Sequence, residues 1–438
     1  MNIARGNVWE MNYHDPLEST KKIFGILVLI ALLTLPLVTA SLTAVLILHS
    51  GGTITTDIIA ESGSPADIQD AVNIAVEIGG GVVRIPAGTF TWSNTEVTIP
   101  WGAHDLTIAG AGIDQTILKQ DSNYGYYSQM FRSSGTYSDL NVQSSNIRIC
   151  DMTLQGYVVS DLNNEPVGIS IGWTKDFRLD HLKLLDFAGG AIIVKDNAVD
   201  LNPSIDYPFY CTGVIDHCTF DMPYKAGANG HTYEDSGLAS GYGVNVQGRD
   251  TGSTDHWEDL EDVLGKFDTV KNTVVYIEDC TFSRCRHAIA SNQGAWYVAR
   301  YNTATHPIPE NYQLFDVHGQ GYGSGGRGAE IYGNTGVGSL WTDPPTYAST
   351  GMEIRGGSCF VYDNTWTDVG QGVKLYDEYG TYEHRLIHDT YIWNNDVDTV
   401  TNLGGPVINV DYFLRAPTIA DLGFAYTAYP YPHPLTNG

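Results

Sequence analysis

A short strand-like pattern recurs along most of the 438-residue chain. Its clearest copies read "IRICDMT", "FRLDHLK", "GVIDHCTF", "VYIEDCTF", "VARYNT", "EIYGNT" and "FVYDNTW". Aligned on their ends, the copies place one apolar residue each in a single column: Ile149, Leu179, Ile215, Ile277, Ala299, Ile331 and Val361. Apart from one interval of 62 residues, neighbours in this column lie 22 to 36 residues apart. Such a period is the signature of a repeat architecture.

A second series of strand-like segments lies between these copies. Its members read "GAIIVKD", "GVNVQG", "HAIASN", "FDVHG", "MEIRGG" and "GVKLYD". Two or more short strands per repeat, each stacked on its counterpart one turn later, are typical of a parallel β-helix. A β-sandwich has no such repeat, and β-propeller blades need longer and more regular units of about 40 residues. The pattern therefore predicts an all-β fold, a parallel β-helix.

Three segments flank or interrupt the predicted coil, which extends over residues 60–395. An amphipathic helix should begin at Ser64 as N-cap, with Pro65 in the first helical position, and cap the coil before Gly79. The 62-residue interval contains an acidic insertion at residues 249–270. The last part, residues 396–438, should be irregular because the prolines of "YPYPHPLTNG" cannot donate hydrogen bonds to a β-ladder.

Residues 23–48 carry no charge and follow Lys21 and Lys22. The segment is long enough to span a bilayer, which takes about 20 residues. It also contains "LVTA" and "LTA", which resemble the small-residue cleavage sites of signal peptides. A transmembrane anchor and a cleaved signal peptide both remain open. In either case residues 1–22 are expected to be cytoplasmic and the rest of the chain to be extracellular or at the cell surface.

The composition narrows the range of partners. Fifty acidic against 23 basic residues give a formal net charge of −27, which repels nucleic acid and attracts cations. A nucleic-acid partner is therefore excluded. The six cysteines have no C-x-x-C spacing, so no zinc site is predicted. Among metal ions and cofactors, only Ca²⁺ stays open for so acidic a chain.

The run "DIQDAVNIAVEIGGGVVRIPAGTF" and the coils "IDHCTF" and "IEDCTF" resemble the N-terminal helix and coils of the pectate-lyase-like (pectin lyase fold) superfamily. The resemblance implies a single-stranded right-handed parallel β-helix. The superfamily includes polysaccharide lyases, glycoside hydrolases, epimerases, phage tailspikes and non-catalytic adhesins. The chain has no Arg-x-Pro-x-x-Arg stretch of pectate lyases and no polygalacturonase set of paired aspartates with Gly-His-Gly and Arg-Ile-Lys. The resemblance therefore implies a polysaccharide or surface glycan as partner and transfers no catalytic residue.

Alternation along the strands predicts which side chains face outward. In the first series Glu278, Arg300 and Tyr332 share one outward column, and Glu330 lies in the column beside it. In the second series, the inward positions of Val317, Ile354 and Val373 direct two further sets of side chains outward: Asp316 and Glu353 in one column, and His318, Arg355 and Lys374 in another. Three basic groups stacked on consecutive coils would repel unless acidic partners or an anionic ligand compensate them. The glycine-rich loop "GQGYGSGGRG" should carry Arg327 towards the same face.

Two reactions fit these residues. Elimination from a uronic-acid chain could use Arg355 or Arg327 on the sugar carboxylate, His318 or Lys374 as base and Tyr332 as acid. Glycoside hydrolysis could use Asp316 with Glu330 or Glu353, because it needs two carboxylates about 5 to 9.5 Å apart. Arg300 and Glu353 would help to bind the substrate. The alternative is a non-catalytic adhesin or structural β-helix protein, in which the same charges only compensate one another.

One further column is purely structural. Asn302, Asn334 and Asn364 follow one another on consecutive turns and predict an asparagine ladder. Cys218 and Cys280 precede them in the same column, one coil apart. Because stacked side chains point in parallel, free thiols are favoured there over a disulfide.

Overall fold

The computed structural model describes residues 43–48, 54–121, 128–133, 143–157, 166–195, 211–222, 241–248, 274–292, 294–306, 313–319, 326, 328–338, 349–378, 386–396 and 399–437. The predicted cytoplasmic residues 1–22, the acidic insertion and Arg327 lie outside these ranges. The described part is dominated by short strands.

The strands, in chain order, are β1 (Thr43–Leu48), β2 (Ile54–Ile59), β3 (Gly81–Arg84), β4 (Gly88–Trp92), β5 (Val97–Ile99), β6 (His104–Ala109), β7 (Thr116–Gln120), β8 (Gln129–Ser133), β9 (Ser144–Gln155), β10 (Val167–Gly172), β11 (Thr174–Lys175), β12 (Phe177–Leu185), β13 (Gly190–Lys195), β14 (Gly213–Asp216), β15 (Thr219–Asp221), β16 (Val244–Gln247), β17 (Val275–Glu278), β18 (Thr281–Ser283), β19 (Ile289–Asn292), β20 (Trp296–Arg300), β21 (Thr303–Thr305), β22 (Gln313–Val317), β23 (Gly328–Tyr332), β24 (Thr335–Val337), β25 (Thr350–Ile354), β26 (Ser358–Tyr362), β27 (Thr365–Thr367), β28 (Gln371–Leu375), β29 (Thr390–Trp393), β30 (Val400–Asn402) and β31 (Tyr412–Phe413). The helices are α1 (Pro65–Glu77), α2 (Ile419–Leu422) and a 3₁₀ turn at Pro434–Asn437.

The strands stack into three parallel ladders, which we call faces. The first face consists of β2, β3, β6, β9, β12, β14, β17, β20, β23, β26, β29 and β31. The second consists of β4, β7, the later halves of β9 and β12, β15, β18, β21, β24 and β27. The third is a separate sheet of β5, β8, β10, β13, β16, β19, β22, β25, β28 and β30. Each turn of the chain supplies strands to these faces in sequence, so the predicted parallel β-helix is confirmed.

The register of the first face agrees with the predicted column throughout. Ile149, Leu179, Ile215, Ile277, Ala299, Ile331 and Val361 are successive ladder partners. All are buried in one continuous apolar core, which Val83 and Ile108 extend at one end and Ile392 at the other. The core therefore lies inside the coil, as the alternation predicts.

A tight bend joins the first face to the second, and the asparagine ladder follows it. The Nδ2 group of Asn302 donates to Oδ1 of Asn334 at 3.0 Å, and that of Asn334 donates to Asn364 at 3.0 Å. Asn364 continues the series by donating to Asn395 at 2.9 Å, one turn beyond the predicted ladder. Buried amides that bond from coil to coil satisfy polar groups that would otherwise be costly inside the core.

None of the cysteines forms a disulfide. Cys218 and Cys280 occupy the ladder column on the coils before Asn302, and both are buried. All six cysteines of the chain are buried thiols. The preference for free thiols over a disulfide is confirmed.

Helix α1 begins where the sequence predicts. The Ser64 hydroxyl accepts a hydrogen bond from the backbone N–H of Asp67 at 3.2 Å, and Pro65 follows the cap. The buried residues Ile68, Ala71, Val72 and Ala75 join the interior core. The apolar stripe of the helix thus contacts the first coil.

Only the end of the uncharged segment 23–48 lies within the described residues. There Thr43–Leu48 forms β1, which pairs antiparallel with β2. In the described ranges, no helix is long and apolar enough to cross a membrane. The signal peptide or anchor remains a prediction.

The β-ladder continues past residue 395. Strand β30 pairs with β28 on the third face, and β31 pairs with β29 on the first. The C-terminal segment, residues 414–437, then lies along the outer side of the first face. Its residues Leu422, Phe424, Tyr426, Tyr429 and Leu435 pack against Val214, Tyr276, Tyr332, Phe360 and Tyr362 in a second apolar cluster. The chain therefore covers much of one of its own faces.

Candidate functional site

The outer side of the third face carries a cluster of charged residues, but its register differs from the predicted one. Asp316 pairs with Glu353, and Glu353 pairs with Lys374. Ile354 pairs with Leu375 rather than with Val373. Lys374 therefore belongs to the column of Asp316 and Glu353, and the predicted column of three basic residues is wrong. A slip of two residues preserves the alternation of inward and outward side chains, so the sequence pattern could not reveal it.

Asp316 is the centre of the cluster and is fully buried. The guanidinium of Arg355 binds it through two hydrogen bonds, from Nη2 to Oδ2 at 2.7 Å and from Nε to Oδ1 at 3.2 Å. The Nε2 atom of His318 lies 2.6 Å from Oδ2. This carboxylate thus has a two-pronged arginine partner and an imidazole partner, the strong kind of charged pairing.

Two more carboxylates join the cluster. The Lys374 ammonium lies 2.6 Å from Oε1 of Glu353. Arg355 also donates from Nη1 to Glu378, 3.2 Å from Oε2. The three carboxylates of Asp316, Glu353 and Glu378 therefore outnumber the two permanent cations, Arg355 and Lys374. The cluster is not cationic, so the electrostatic reason for expecting an acidic glycan there does not hold.

The two central carboxylates differ in acidity. Burial acts to raise the pKa of Asp316, but the nearby charges of Arg355 and His318 outweigh it and hold that pKa below its usual range. Burial raises the pKa of Glu353, and the negative charge of Asp316 raises it further despite Arg355 and Lys374. Neighbouring carboxyl groups with opposite shifts are typical of an acid and a base that work together.

His287 also faces this cluster. It is buried, and its Nδ1–H donates to the backbone carbonyl of Gln313 at 2.9 Å. Its Nε2 atom lies 4.0 Å from Oδ2 of Asp316. His287 precedes β19 on the previous coil, and no sequence motif links it with the site.

Three side chains of this cluster form the group in the described residues that could hold a metal ion. One ligand atom each from His287, Asp316 and His318 lies within 4.8 Å of the others. Two histidines and one carboxylate suit a transition metal, whereas Ca²⁺ prefers oxygen ligands. Arg355 already binds both oxygens of Asp316, however, and a cation there would compete with the guanidinium. The geometry fits an ion-pair network better than a metal centre.

Three residues predicted for the site lie elsewhere. Arg300, Glu330 and Tyr332 are on β20 and β23 of the first face, whereas Asp316 and Glu353 are on the third. The sequence placed them together because residues 316–332 are close along the chain. The proposed pairing of Asp316 with Glu330 and the proposed acid role of Tyr332 at this site are therefore wrong.

Arg300 is fully buried beneath the C-terminal segment. It donates to Glu278 at 2.7 Å, to the Tyr332 hydroxyl at 3.0 Å and to the carbonyls of Tyr429 and Pro430 at 2.7 and 2.9 Å. The hydroxyl of Tyr426 donates to Glu330 at 2.6 Å. With its donors directed at the protein itself, Arg300 does not face a substrate, contrary to the sequence prediction.

Two residues of the third-face cluster were missed altogether. Glu378 follows β28 and reaches back to Arg355, and Tyr376 lies under the Lys374 ammonium, which is 5.2 Å from its ring centroid. Tyr376 lies within "GVKLYD" and Glu378 directly follows it, where the two-residue offset hid their proximity to Arg355. Arg327, predicted to reach this face, lies outside the described residues.

Comparisons with known proteins give no family assignment. No family model matches the chain, and no curated protein matches it. Among solved structures, the chain is similar to ORF18 of Geobacillus virus E2 (13% identity, TM-score 0.45), an alginate lyase from Paenibacillus sp. str. FPU-7 (12%, 0.41) and a Family 28 exopolygalacturonase from Yersinia enterocolitica (12%, 0.42). The matches cover 82%, 82% and 83% of this chain and 64%, 99% and 81% of those proteins. The chain thus spans less than two thirds of the viral protein. At such identities and TM-scores, the likeness says nothing about chemistry.

Proposed function

We propose that the protein cleaves glycosidic bonds in a polysaccharide at the third-face cluster of Asp316, His318, Glu353, Arg355 and Lys374. The observation that carries the proposal is the pair of carboxyl groups with opposite pKa shifts on adjacent coils. Glu353, whose pKa is raised, is the group suited to protonate the leaving oxygen. Asp316, whose pKa is lowered, stays ionised and is the group suited to act as the base. Adjacent coils are about 4.8 Å apart, close to the separations that glycoside hydrolysis uses.

The other members of the cluster have supporting roles. Arg355 holds Asp316 ionised and in place, and the buried imidazole of His318 lies 2.6 Å from the same carboxylate. Side chains of Lys374 and Glu378 have the largest exposed fractions among the ion-paired members, 13% and 11%. A sugar chain lying along the third face would meet these two side chains first. Hydrolysis is thus the favoured reaction, on a polysaccharide whose charge the cluster does not specify.

Elimination from a uronic-acid polysaccharide is the second candidate. It is supported by Lys374, the most exposed cation of the cluster, which could neutralise a sugar carboxylate or act as base. In the adhesin alternative, the same ion pairs would only stabilise the coil.

The test is turnover by the full-length chain on a panel of neutral and uronic-acid polysaccharides, with product analysis. New reducing ends without unsaturation support hydrolysis, and unsaturated products support elimination. Loss of a general acid or base typically lowers the rate about 10²- to 10⁴-fold. We therefore expect Glu353→Gln and Asp316→Asn to lower kcat at least ~10²-fold while the circular dichroism spectrum is unchanged.

Glu330→Gln is the matched control, since it changes a buried outward carboxyl group on the first face. Because Glu330 is not an acid or base of the proposed reaction, this substitution should leave kcat within about twofold. Glycan binding without turnover would favour the adhesin. Full activity of folded Glu353→Gln would overturn the proposed roles.

We further propose that the protein acts outside the cell. The support is the uncharged segment 23–48 that follows Lys21 and Lys22. Polysaccharides that such a protein could reach are mostly external to the cell. N-terminal sequencing of the protein from its own host separates a cleaved signal peptide from an uncleaved anchor, and an intact chain confined to the cytosol would contradict export.

A further inference from the structure

Two histidines stand side by side at the edge of the first face, away from the third-face cluster. His181 and His217 occupy the same turn position on adjacent coils, with positive φ angles of 51° and 52°. Their imidazole rings are parallel within 4°, and the ring centroids are 5.2 Å apart. Both side chains are about half exposed, at 48% and 50%. Neither histidine has a role in the proposed reaction.

Each imidazole is held by a buried aspartate that precedes it. Nδ1 of His181 lies 2.8 Å from Asp180, and Nδ1 of His217 lies 2.9 Å from Asp216. Both aspartates are fully buried.

An arginine from the preceding coil is hydrogen-bonded to each aspartate. Arg148 binds both oxygens of Asp180, and Arg178 binds both oxygens of Asp216. A carboxylate paired with a guanidinium can only accept a hydrogen bond, so each imidazole must donate its Nδ1–H. In the neutral form of each ring, the lone pair is therefore on Nε2.

We propose that His181 and His217 together bind one divalent transition-metal ion, of the class of Zn²⁺ or Ni²⁺, through their Nε2 atoms. Histidines that bind metals almost always donate their other ring N–H to a carboxylate or carbonyl, which orients the ring and increases its basicity. Here that arrangement is repeated on two adjacent coils. Neutral imidazole suits zinc and nickel better than calcium or magnesium.

The geometry requires a small movement of the rings. Zinc–nitrogen bonds are about 2.0 to 2.1 Å long, so the two Nε2 atoms must approach each other more closely than parallel rings one coil apart allow. Half-exposed side chains can tilt in this way. Carboxylates at the same turn position on the flanking coils, Asp151 and Asp279, add negative charge on either side. The net charge of −27 also favours cation binding.

Two other histidines of the chain also contact an adjacent aspartate, so this contact alone does not set His181 and His217 apart. His104 lies 3.0 Å from Asp105, and His388 lies 3.0 Å from Asp389. Within the described ranges, neither has a second imidazole stacked on it. These two His–Asp pairs serve as controls, because they contain the same two residue types without a stacked second imidazole.

The experiment is calorimetric titration of Zn²⁺, and separately Ni²⁺, into the metal-free full-length chain. Asparagine is the substitution of choice, because Asn394 adopts φ 53° at the equivalent turn of a later coil. Since second-shell changes already cost 10- to 100-fold in metal affinity, we expect His181→Asn and His217→Asn each to weaken binding at least ~10-fold. The double variant should be little worse than either single one.

His104→Asn should leave the affinity unchanged. Circular dichroism confirms that each variant is folded. Absence of wild-type binding, or binding that survives in the double variant, would overturn the proposal. Neither outcome depends on turnover, so failure of this metal site and failure of the proposed glycosidic cleavage can be told apart.

Discussion

The first and third faces each carry a buried arginine–carboxylate pair on their outer sides, and the pairs differ in what covers them. Arg300 and Glu278 on the first face lie under the C-terminal segment, which supplies backbone partners from Tyr429, Pro430 and His433. Arg355 and Asp316 on the third face are partnered by side chains from neighbouring coils, and Arg355 retains slight exposure. An outward charge on a β-helix coil therefore indicates a site only where the chain does not cover it.

The difference extends to chemistry. The first-face pair is surrounded by aromatic rings, and the Tyr332, Tyr362 and Trp393 rings stack on consecutive coils with centroids 4.7 and 4.3 Å apart. The third-face pair is surrounded by further ionisable groups. A buried pair among aromatic rings acts as an anchor for a covering segment, whereas coupled ionisable groups can exchange protons. Stability should therefore depend more on the first face, and activity on the third.

The largest effect is expected for Arg300→Met. The substitution leaves the Glu278 carboxylate buried without its cation and removes two bonds to the C-terminal segment. Removing one partner of a buried ion pair costs about 3 to 5 kcal/mol. We expect the free energy of unfolding to fall by that amount, as measured by urea unfolding followed by circular dichroism.

Arg355→Met is the matched variant on the third face. It should cost less, because Asp316 retains His318 as a partner and Arg355 is not fully enclosed. A loss of stability greater than that of Arg300→Met would reverse the comparison. It would make the third-face cluster the main structural network and weaken its case as an active site.

Low pH should reduce the free energy of unfolding through one buried histidine on each of the two faces. Burial lowers the pKa of His287 on the third face to about 3 and that of His433 on the first face to about 4, from the ordinary 6.5. The folded protein keeps both rings neutral, whereas the unfolded chain binds protons below about pH 6.5. Each histidine therefore contributes stability above pH 6.5 that is lost, at about 1.4 kcal/mol per pH unit, as the pH falls towards its folded pKa.

The variants His287→Gln and His433→Gln separate the two contributions. Each should reduce the decline of unfolding free energy between pH 6.5 and 4, measured by urea titration at several pH values. Only His287→Gln should still reduce it between pH 4 and 3. Glu278 and Glu353, with pKa values raised by burial, act in the opposite direction, so slopes are compared between variants. An unchanged slope in both variants would contradict the buried neutral state of these rings.

The sequence patterns predicted the register of the first face better than that of the third. On the first face every predicted ladder partner was right, because the repeats share an end marker: Cys218, Cys280, Asn302, Asn334 and Asn364 fix the turn. On the third face no residue marks the strand end, so β28 was misaligned by two residues. A period of two identifies the outward side of a strand but not its exact partner.

Two features of the structure lay beyond any local sequence pattern. Asp316 and Glu330 are close in sequence but lie on strands of different faces. The bond from Arg300 to Tyr429 joins residues 129 positions apart. Contacts of such separation depend on the path of the whole chain, and the proline-rich end of the sequence gives no periodic signal for it.

A smaller loss of stability is expected for Tyr426→Phe in the C-terminal segment. Its hydroxyl donates to the buried Glu330 and contacts the Tyr362 hydroxyl at 3.0 Å. A buried acceptor left without its donor costs about 1 to 3 kcal/mol. Tyr431→Phe is the control, because that residue is about half exposed and its hydroxyl donates to Asp279 in an exposed hydrogen bond, so its effect should be clearly smaller in the same unfolding assay. Equal effects would mean that the segment is held loosely and that the first face is not firmly covered.

The smallest effect, and the most specific to the third face, is expected for Lys374→Met. The ammonium lowers the pKa of Glu353, so its removal should raise that pKa further. If Glu353 is the general acid, activity is lost as the pH rises through its pKa, and the alkaline limb of the kcat profile should move upward, by roughly one unit or less. Lys183→Met, which removes the lysine paired with Asp114 away from the cluster, should leave the profile in place. A downward shift, or no shift with turnover retained, would mean that another group donates the proton and that Glu353 serves the third face as Glu278 serves the first, by pairing alone.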